Sequence, residues 1–196
     1  MSDSYQKECF DLLNKNFNGT IPRWEDLPAI QLYMDQIVEL INTSLEPWNV
    51  SGETLLTPSM VNNYVKMGLL APPEKKKYSR RHLAYLIMIC LLKQIMPISD
   101  IRIFIESQIK FKDCEELLNS FAQTYENDFM MSLENMRSIM QGFDGIEDEN
   151  SFYSMMILKS ASLAGAGRYI VENSVKKISA NNDKSKDEAE KNPAST

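Results

Sequence analysis

Positive charge is concentrated in one short stretch of this sequence. Lys75, Lys76, Lys77, Arg80 and Arg81 lie within seven residues of one another. Positions 57 to 93 hold seven lysines and arginines against one acid, a net charge of +6, whereas the whole chain carries −6 and the remainder therefore −12. Clustered ammonium and guanidinium groups bind nucleic-acid phosphates by displacing counterions. The pattern predicts a phosphate-binding surface; the alternative is a solvated run of surface charge.

Polar side chains that could read bases precede this basic run. Ser59, Asn62 and Asn63 lie on a predicted short helix, with Thr57 placed to contact a nucleic-acid backbone. An asparagine can form two hydrogen bonds with the edge of adenine in the major groove. The alternative is that these residues cap the helix or cover one of its exposed faces.

Residues for catalysis or metal binding are sparse. The chain has three cysteines, Cys9, Cys90 and Cys114, and one histidine, His82. His82 is interpreted as a solvent-facing residue in the first turn of a helix. The sequence has no Gly-x-Ser-x-Gly turn, no glycine-rich phosphate loop and no histidines at metal-ligand spacing. We expect no enzyme activity, no cofactor and no metal site.

The cysteines and the apolar runs bear on where the chain resides. Three widely spaced cysteines favour a reducing compartment over a disulfide framework. The N-terminus lacks the basic-then-apolar order of a signal peptide, and no run reaches the roughly 18 apolar residues that cross a bilayer. The sequence predicts a cytoplasmic protein that does not enter a membrane.

Hydrophobic periodicity predicts a mainly α-helical chain. A short helix is expected from Tyr5 to Asn16, then a proline-containing loop from Ile21 to Pro28 in which Trp24 packs on a neighbour. An amphipathic helix follows from Ala29 to about Leu45. Its predicted inner face consists of Ile30, Tyr33, Met34, Ile37, Leu40 and Ile41.

Local signals delimit the next elements. Thr57-Pro58-Ser59 starts a helix that continues through Met67, and Gly68 suits its left-handed end. Residues 71–78 combine two prolines with the basic run and predict a small hairpin or wing. Ser79 then caps a helix to about Met96, with Lys93 facing outward. Its inward positions are Leu83, Leu86, Ile87, Cys90, Leu91 and Ile95.

The C-terminal half of the sequence is predicted to form helices whose apolar faces pack against other helices. Ser99 is expected to cap a helix that buries Ile101, Phe104 and Ile105. A long helix after Asp113 carries apolar residues at steps of four and three, namely Leu117, Phe121, Tyr125, Phe129, Leu133, Met136 and Met140. A last helix, about Ser151 to Ser179, contains a run of small residues at 160–167 that would let another helix approach closely. Residues 129–156 are rich in methionine, which suits a helical core or an effector pocket.

The segment from Ser59 to Ile101 resembles the DNA-binding module of the MerR superfamily. Ser59-Met-Val-Asn-Asn-Tyr-Val-Lys-Met-Gly-Leu-Leu70 is followed by prolines, a basic wing, Tyr78-Ser79 and a leucine-rich helix. The resemblance implies a winged helix-turn-helix. Tyr64 takes a tyrosine position of the recognition helix, Lys66 its basic position, Lys76 the wing arginine and Tyr78 the wing tyrosine. Asn62 and Asn63 stand where the family has an arginine and a tyrosine.

A longer stretch is similar to a bacterial family known as domain of unknown function 1836. The residues that carry this similarity are Ile21-Pro-Arg-Trp-Glu-Asp-Leu-Pro28, Leu32-Tyr-Met-Asp-Gln36, Asn62-Asn-Tyr-Val-Lys66 and Lys77-Tyr-Ser79. The similarity implies a MerR-like winged helix without an established activity, and it supplies no ligand.

These patterns divide the chain into four parts. They are an N-terminal helix and loop at 1–28, a MerR-like winged helix-turn-helix domain with a small wing at 29–110, a helical dimerisation or interaction region at 111–179, and a disordered tail at 180–196.

We expect a transcriptional regulator that binds double-stranded DNA, with a possible homodimer through the C-terminal helices. The alternative is a winged-helix module that binds another protein and not DNA. Predicted DNA contacts come from Thr57, Ser59, Asn62, Asn63, Tyr64, Lys66, Lys75, Lys76, Lys77, Tyr78, Arg80 and Arg81.

Overall fold

The computed structural model describes residues 17–50, 52–141 and 148–191. Within these ranges the chain forms six α-helices and two short 3-10 turns, the latter at Trp24–Asp26 and Glu46–Trp48. The helices are α1 (Met34–Ser44), α2 (Pro58–Lys66), α3 (Arg80–Leu92), α4 (Ile98–Gln108), α5 (Cys114–Gln141) and α6 (Glu149–Lys191). The mainly helical fold is thus confirmed. The helix predicted at Tyr5–Asn16 lies outside the described residues.

Helix α3 is the centre of the fold. All nine residues from Leu83 to Leu91 are buried, and α1, α4 and α5 pack around the helix. A helix that is apolar on every side is stable only when neighbours cover it all round. The sequence prediction of a single inward face was therefore too narrow, because Ala84, Tyr85, Met88 and Ile89 are buried as well. Ile95, predicted to be inside, follows the end of α3 and is 57% exposed.

Helix α1 begins later than predicted. The backbone N–H of Leu32 donates to the Tyr78 carbonyl at 2.9 Å, and the N–H of Tyr78 donates to the Leu32 carbonyl at 2.8 Å. This pairing holds Leu32 in an extended conformation, so the helix cannot start until the Gln36 side chain caps the N–H of Tyr33 at 2.8 Å. Ile30 and Tyr33 consequently lie on the surface, 71% and 51% exposed, and not in the core.

Both ends of α2 follow their local signals. The Thr57 hydroxyl accepts a hydrogen bond from the Met60 N–H at 3.2 Å, with Pro58 as the first helical residue. At the other end Gly68 has a φ of 71°, and the N–H of Leu69 bonds back to the Tyr64 carbonyl at 2.9 Å. This is the Schellman arrangement that a glycine in the left-handed region permits.

The first half of α5 belongs to the same core as the preceding helices. Leu117, Leu118 and Ala122 are buried in one cluster that extends back to Ile21. The predicted boundary at residue 110 therefore does not separate two cores. Helix α4 also starts earlier than expected, since Pro97 precedes it and the Ser99 hydroxyl bonds to Asp100 at 3.0 Å instead of capping the helix.

A partly buried ion pair fastens the loop at 21–26 to α5. The Glu126 carboxylate accepts from the Ile21 N–H at 2.5 Å and from the Arg23 guanidinium at 2.5 and 3.1 Å. Next to this ion pair, the backbone N–H of Trp24 donates to the side-chain oxygen of Asn119 at 2.8 Å. These contacts place the Trp24 ring beside the start of α3, so Trp24 packs on a neighbour as predicted.

Helix α6 is longer than predicted and is continuous to Lys191, although a disordered tail was expected after Ser179. It is buried near its start, at Phe152, and again at Val175, and it contacts α4. Between these points no side chain is buried. No helix among the described residues is both long and apolar enough to cross a membrane.

Candidate nucleic-acid interface

The basic run forms a two-residue hairpin. The N–H of Lys77 donates to the Glu74 carbonyl at 2.9 Å, and the N–H of Glu74 donates to the Lys77 carbonyl at 3.1 Å. Lys75 and Lys76 have φ angles of 48° and 64°, so both central residues adopt the left-handed conformation of a type I′ turn. The described residues contain no strand, only the isolated bridges Glu74–Lys77 and Leu32–Tyr78. The predicted wing is thus reduced to this turn.

Both turn lysines project into solvent. Lys75 and Lys76 are exposed, and among the described residues neither forms a hydrogen bond or an ion pair. Lysine in the left-handed region costs about 1 kcal/mol compared with glycine. Strained backbone tends to persist at functional sites, so this turn is a candidate contact point.

Three neighbouring cations rest on aromatic rings. The ammonium of Lys77 lies 5.3 Å from the Tyr33 ring centroid, and the guanidinium of Arg80 lies 5.4 Å from that of Trp24. Arg81 lies 5.7 Å from the Tyr85 ring and donates to its hydroxyl at 3.3 Å, which raises the pKa of Arg81. Cation–π contacts fix the direction of these side chains. The sequence prediction did not assign Tyr33 or Tyr85 to the site.

A second group of predicted residues lies on α2. Ser59, Asn62, Asn63 and Lys66 are exposed on one side of the helix, while Val61 on the other side is buried. Asn63 donates from its side chain to the sulfur of Met67 at 3.4 Å. The exposure of this polar face fits both the predicted base contacts and the alternative of an exposed helix face.

Three predicted contact residues have structural roles instead. Tyr64 and Tyr78 are buried, at 4% and 3% exposure, and burial raises the pKa of Tyr64 to about 12 and also raises the pKa of Tyr78. Their side chains cannot reach DNA in this conformation. Thr57 is half-buried and its hydroxyl caps α2. The candidate set is therefore smaller than predicted.

His82 joins the turn segment to α3. Its Nδ1 accepts from the Ser79 N–H at 3.0 Å, and its Nε2 lies 3.2 Å from the Ala71 carbonyl oxygen. A neutral ring with its proton on Nε2 satisfies both contacts. Burial lowers the pKa of His82, and the bond to Ala71 offsets this only in part. His82 is thus half-buried and structural, not the solvent-facing residue that was predicted.

An aromatic groove of about 510 Å³ lies away from these cations, between α4 and α5. Phe104, Phe121, Tyr125 and Phe129 form much of its wall, with Lys112 and Asp128 among its polar residues. The methionine-rich stretch, which suited a helical core or an effector pocket, contributes no methionine to this groove.

A comparison with protein-family models gives a match to this chain. The family model described as "Domain of unknown function (DUF1836)" matches residues 22–128, which include the turn, the exposed face of α2 and the first half of α5. No curated protein and no solved structure matches the chain. Because the match covers more than half of its length, the chain belongs to the DUF1836 family.

Proposed function

We propose that this protein binds double-stranded DNA as a transcriptional regulator, through a MerR-like winged helix-turn-helix. The observation that carries the proposal is the Glu74–Lys77 turn, which presents two exposed lysines in a strained backbone conformation. In this proposal Lys75 and Lys76 bind backbone phosphates, and α2 enters the adjacent major groove.

The size and chemistry of α2 suit this role. The major groove of B-DNA is about 12 Å wide and admits a helix. Ser59, Asn62 and Asn63 offer donors and acceptors on the exposed face of α2, and Lys66 adds a cation at its last turn. The asparagines, in place of the arginine and tyrosine of MerR proteins, favour adenine as the base contacted.

The charge distribution supports a single orientation on DNA. Residues 57–93 carry +6 and the remainder of the chain −12. A phosphate backbone attracts the first region and on balance repels the rest, which favours approach by the face with the turn. The proposal includes pairing of two copies through the C-terminal helices, because dimers with two-fold symmetry bind paired half-sites on DNA. The cytoplasmic location stays a prediction.

A second candidate function is binding of another protein without DNA. The observation that favours it is the open aromatic groove between α4 and α5, whose walls include Phe121 and Phe129. An apolar interface of this kind would respond weakly to salt, whereas phosphate contacts respond steeply.

The test measures how much of a random pool of duplex DNA the purified protein binds at about 50 and 200 mM salt. The decisive variant is K75N/K76G, because Asn-Gly is the preferred sequence for a type I′ turn and removes both charges without disturbing the hairpin. The matched control is K176A/K177A, which removes two exposed lysines from α6.

We expect the wild type and the control to bind with a steep salt dependence. The slope of log affinity against log salt should be shallower by about 2 for K75N/K76G, at roughly 0.9 for each lost phosphate contact. Absence of binding at the lower salt, or equal slopes for both variants, would overturn the proposal and favour the protein-binding alternative.

A further inference from the structure

The middle of α6 is exposed, although the helix is buried on either side of it, at Phe152 and at Val175. Residues 154–170 are exposed apart from Met156, which is half-buried. A side-chain carbon added at Gly165 or Gly167 would meet nothing within 4 Å. The predicted close neighbour of this small-residue run is therefore not within the described part of the chain.

Exposed apolar surface is concentrated around this region. Eight of the fifteen large apolar side chains exposed among the described residues lie on α5 or α6: Met130, Met131, Met155, Ile157, Leu158, Leu163, Tyr169 and Ile170. Two of them, Leu163 and Ile170, are seven residues apart on one side of α6. Exposed apolar side chains concentrated in this way on a monomer mark interaction surfaces.

One face of α6 has a symmetric pattern. Met156, Ser160, Leu163, Gly167 and Ile170 follow one another at steps of four and three, which places them on one seam of the helix. Their sizes alternate as large, small, large, small, large. Met156 and Ile170 are each seven residues from Leu163, and Ser160 and Gly167 are three and four residues from it. An antiparallel copy of the seam would therefore match large positions with large and bring the small positions within one residue of each other.

We propose that α6 pairs with α6 of a second copy in an antiparallel contact whose two-fold axis passes near Leu163. Leu163 then meets its own equivalent, and the small residues at 160 and 167 let the helices approach closely. A two-fold contact uses the same patch on both subunits, and a patch symmetric about its centre meets that requirement. A different protein would not require this symmetry. The inference extends the pairing of copies in the proposed function, yet its test uses no DNA, so either can fail alone.

The first test measures molar mass in solution by light scattering over a range of micromolar concentrations. The wild type should have twice the 22.5 kDa of one chain. L163E should reduce the mass to one chain, because it buries a carboxylate at the axis. The matched control is A161E, which adds the same charge two residues away on the opposite side of the helix. A wild type of 22.5 kDa, or equal effects of both substitutions, would overturn the proposal.

The second test reports geometry. In a background with Cys9 and Cys114 changed to serine, L163C should form a disulfide-linked dimer on mild oxidation, because the axis brings the two thiols together. A161C should not, since its side chain faces away from the seam. Equal cross-linking of L163C and A161C, or none for either, would exclude the antiparallel contact even if the protein proved dimeric.

Discussion

Lys75 and Lys76 occupy positions where glycine or asparagine would lower the energy of the turn. Both residues have positive φ angles, and both are exposed. Among the described residues, neither lysine side chain forms a hydrogen bond or an ion pair that would compensate for the strain. The turn is therefore less stable than it would be with glycine or asparagine at these positions, and it exposes two ammonium groups.

This strain has a measurable consequence for K75N/K76G. The variant should be more stable than the wild type by about 1 kcal/mol, because Asn-Gly relieves the left-handed strain while glycine adds some chain entropy. Urea denaturation followed by circular dichroism measures the change. A less stable variant would show that the lysines support the turn and do not strain it.

His82 should make stability depend on pH. Burial lowers the pKa of His82 below its ordinary value of 6.5, so between the folded and unfolded values the unfolded chain binds more protons. The contribution is complete above about pH 6.5 and is lost as the pH falls through that window.

The variant H82Q isolates this effect. Glutamine at this position can still accept from the Ser79 N–H, as in a Ser-x-x-Gln capping box, but it does not titrate. We expect the free energy of unfolding of H82Q to fall less than that of the wild type as the pH is lowered from 6.5. Parallel pH profiles for the two proteins would assign the acid sensitivity to other groups.

Among the structural elements, the 21–26 loop depends on one carboxylate of α5. Glu126 accepts three hydrogen bonds from this loop, and its side chain and that of Arg23 are only 17% and 24% exposed. Without the loop, Trp24 would not be held under Arg80. The long helix therefore contributes to the position of a candidate DNA-binding arginine.

Replacing Glu126 with glutamine should destabilise the protein by about 2 kcal/mol, because the Arg23 charge would be left partly buried without its counter-ion. The control is E134Q on the same helix, where the pair with Arg137 is on the surface and should contribute less than about 1 kcal/mol. Urea midpoints compare the two, and equal losses would mean that the loop contacts add nothing.

Helix ends that are determined by neighbouring residues were predicted well. Helix ends that depend on contacts far along the chain were not. Thr57, Pro58 and Gly68 delimit α2 because caps act within a few residues. The start of α1 could not be predicted, since it depends on the pairing of Leu32 with Tyr78, far along the chain. The aromatic rings under Lys77 and Arg80 come from that same pairing and from the 21–26 loop.

At the scale of the whole molecule, hydrophobic periodicity predicted the helical fold class. It did not predict that residues on both sides of the boundary at 110 share one core. The apolar residues at steps of four and three on α5 predicted a partner helix. Leu117, the first of them, is buried in the same core as α3, and α5 contacts α3. The run of small residues on α6 predicted a close neighbour as well. Periodicity shows that a face needs cover, and it does not say which element supplies it.

Because α3 is buried from Leu83 to Leu91, the thiol of Cys90 can report when the core unfolds. Its side chain is 0% exposed, and burial raises the pKa of the thiol to about 12, so the reactive thiolate is scarce in the folded protein. With Cys9 and Cys114 replaced by serine, a thiol reagent should label the protein only as fast as the core opens. At a reagent concentration where labelling is faster than reclosing of the core, the labelling rate measures how long one folded molecule lasts before it unfolds.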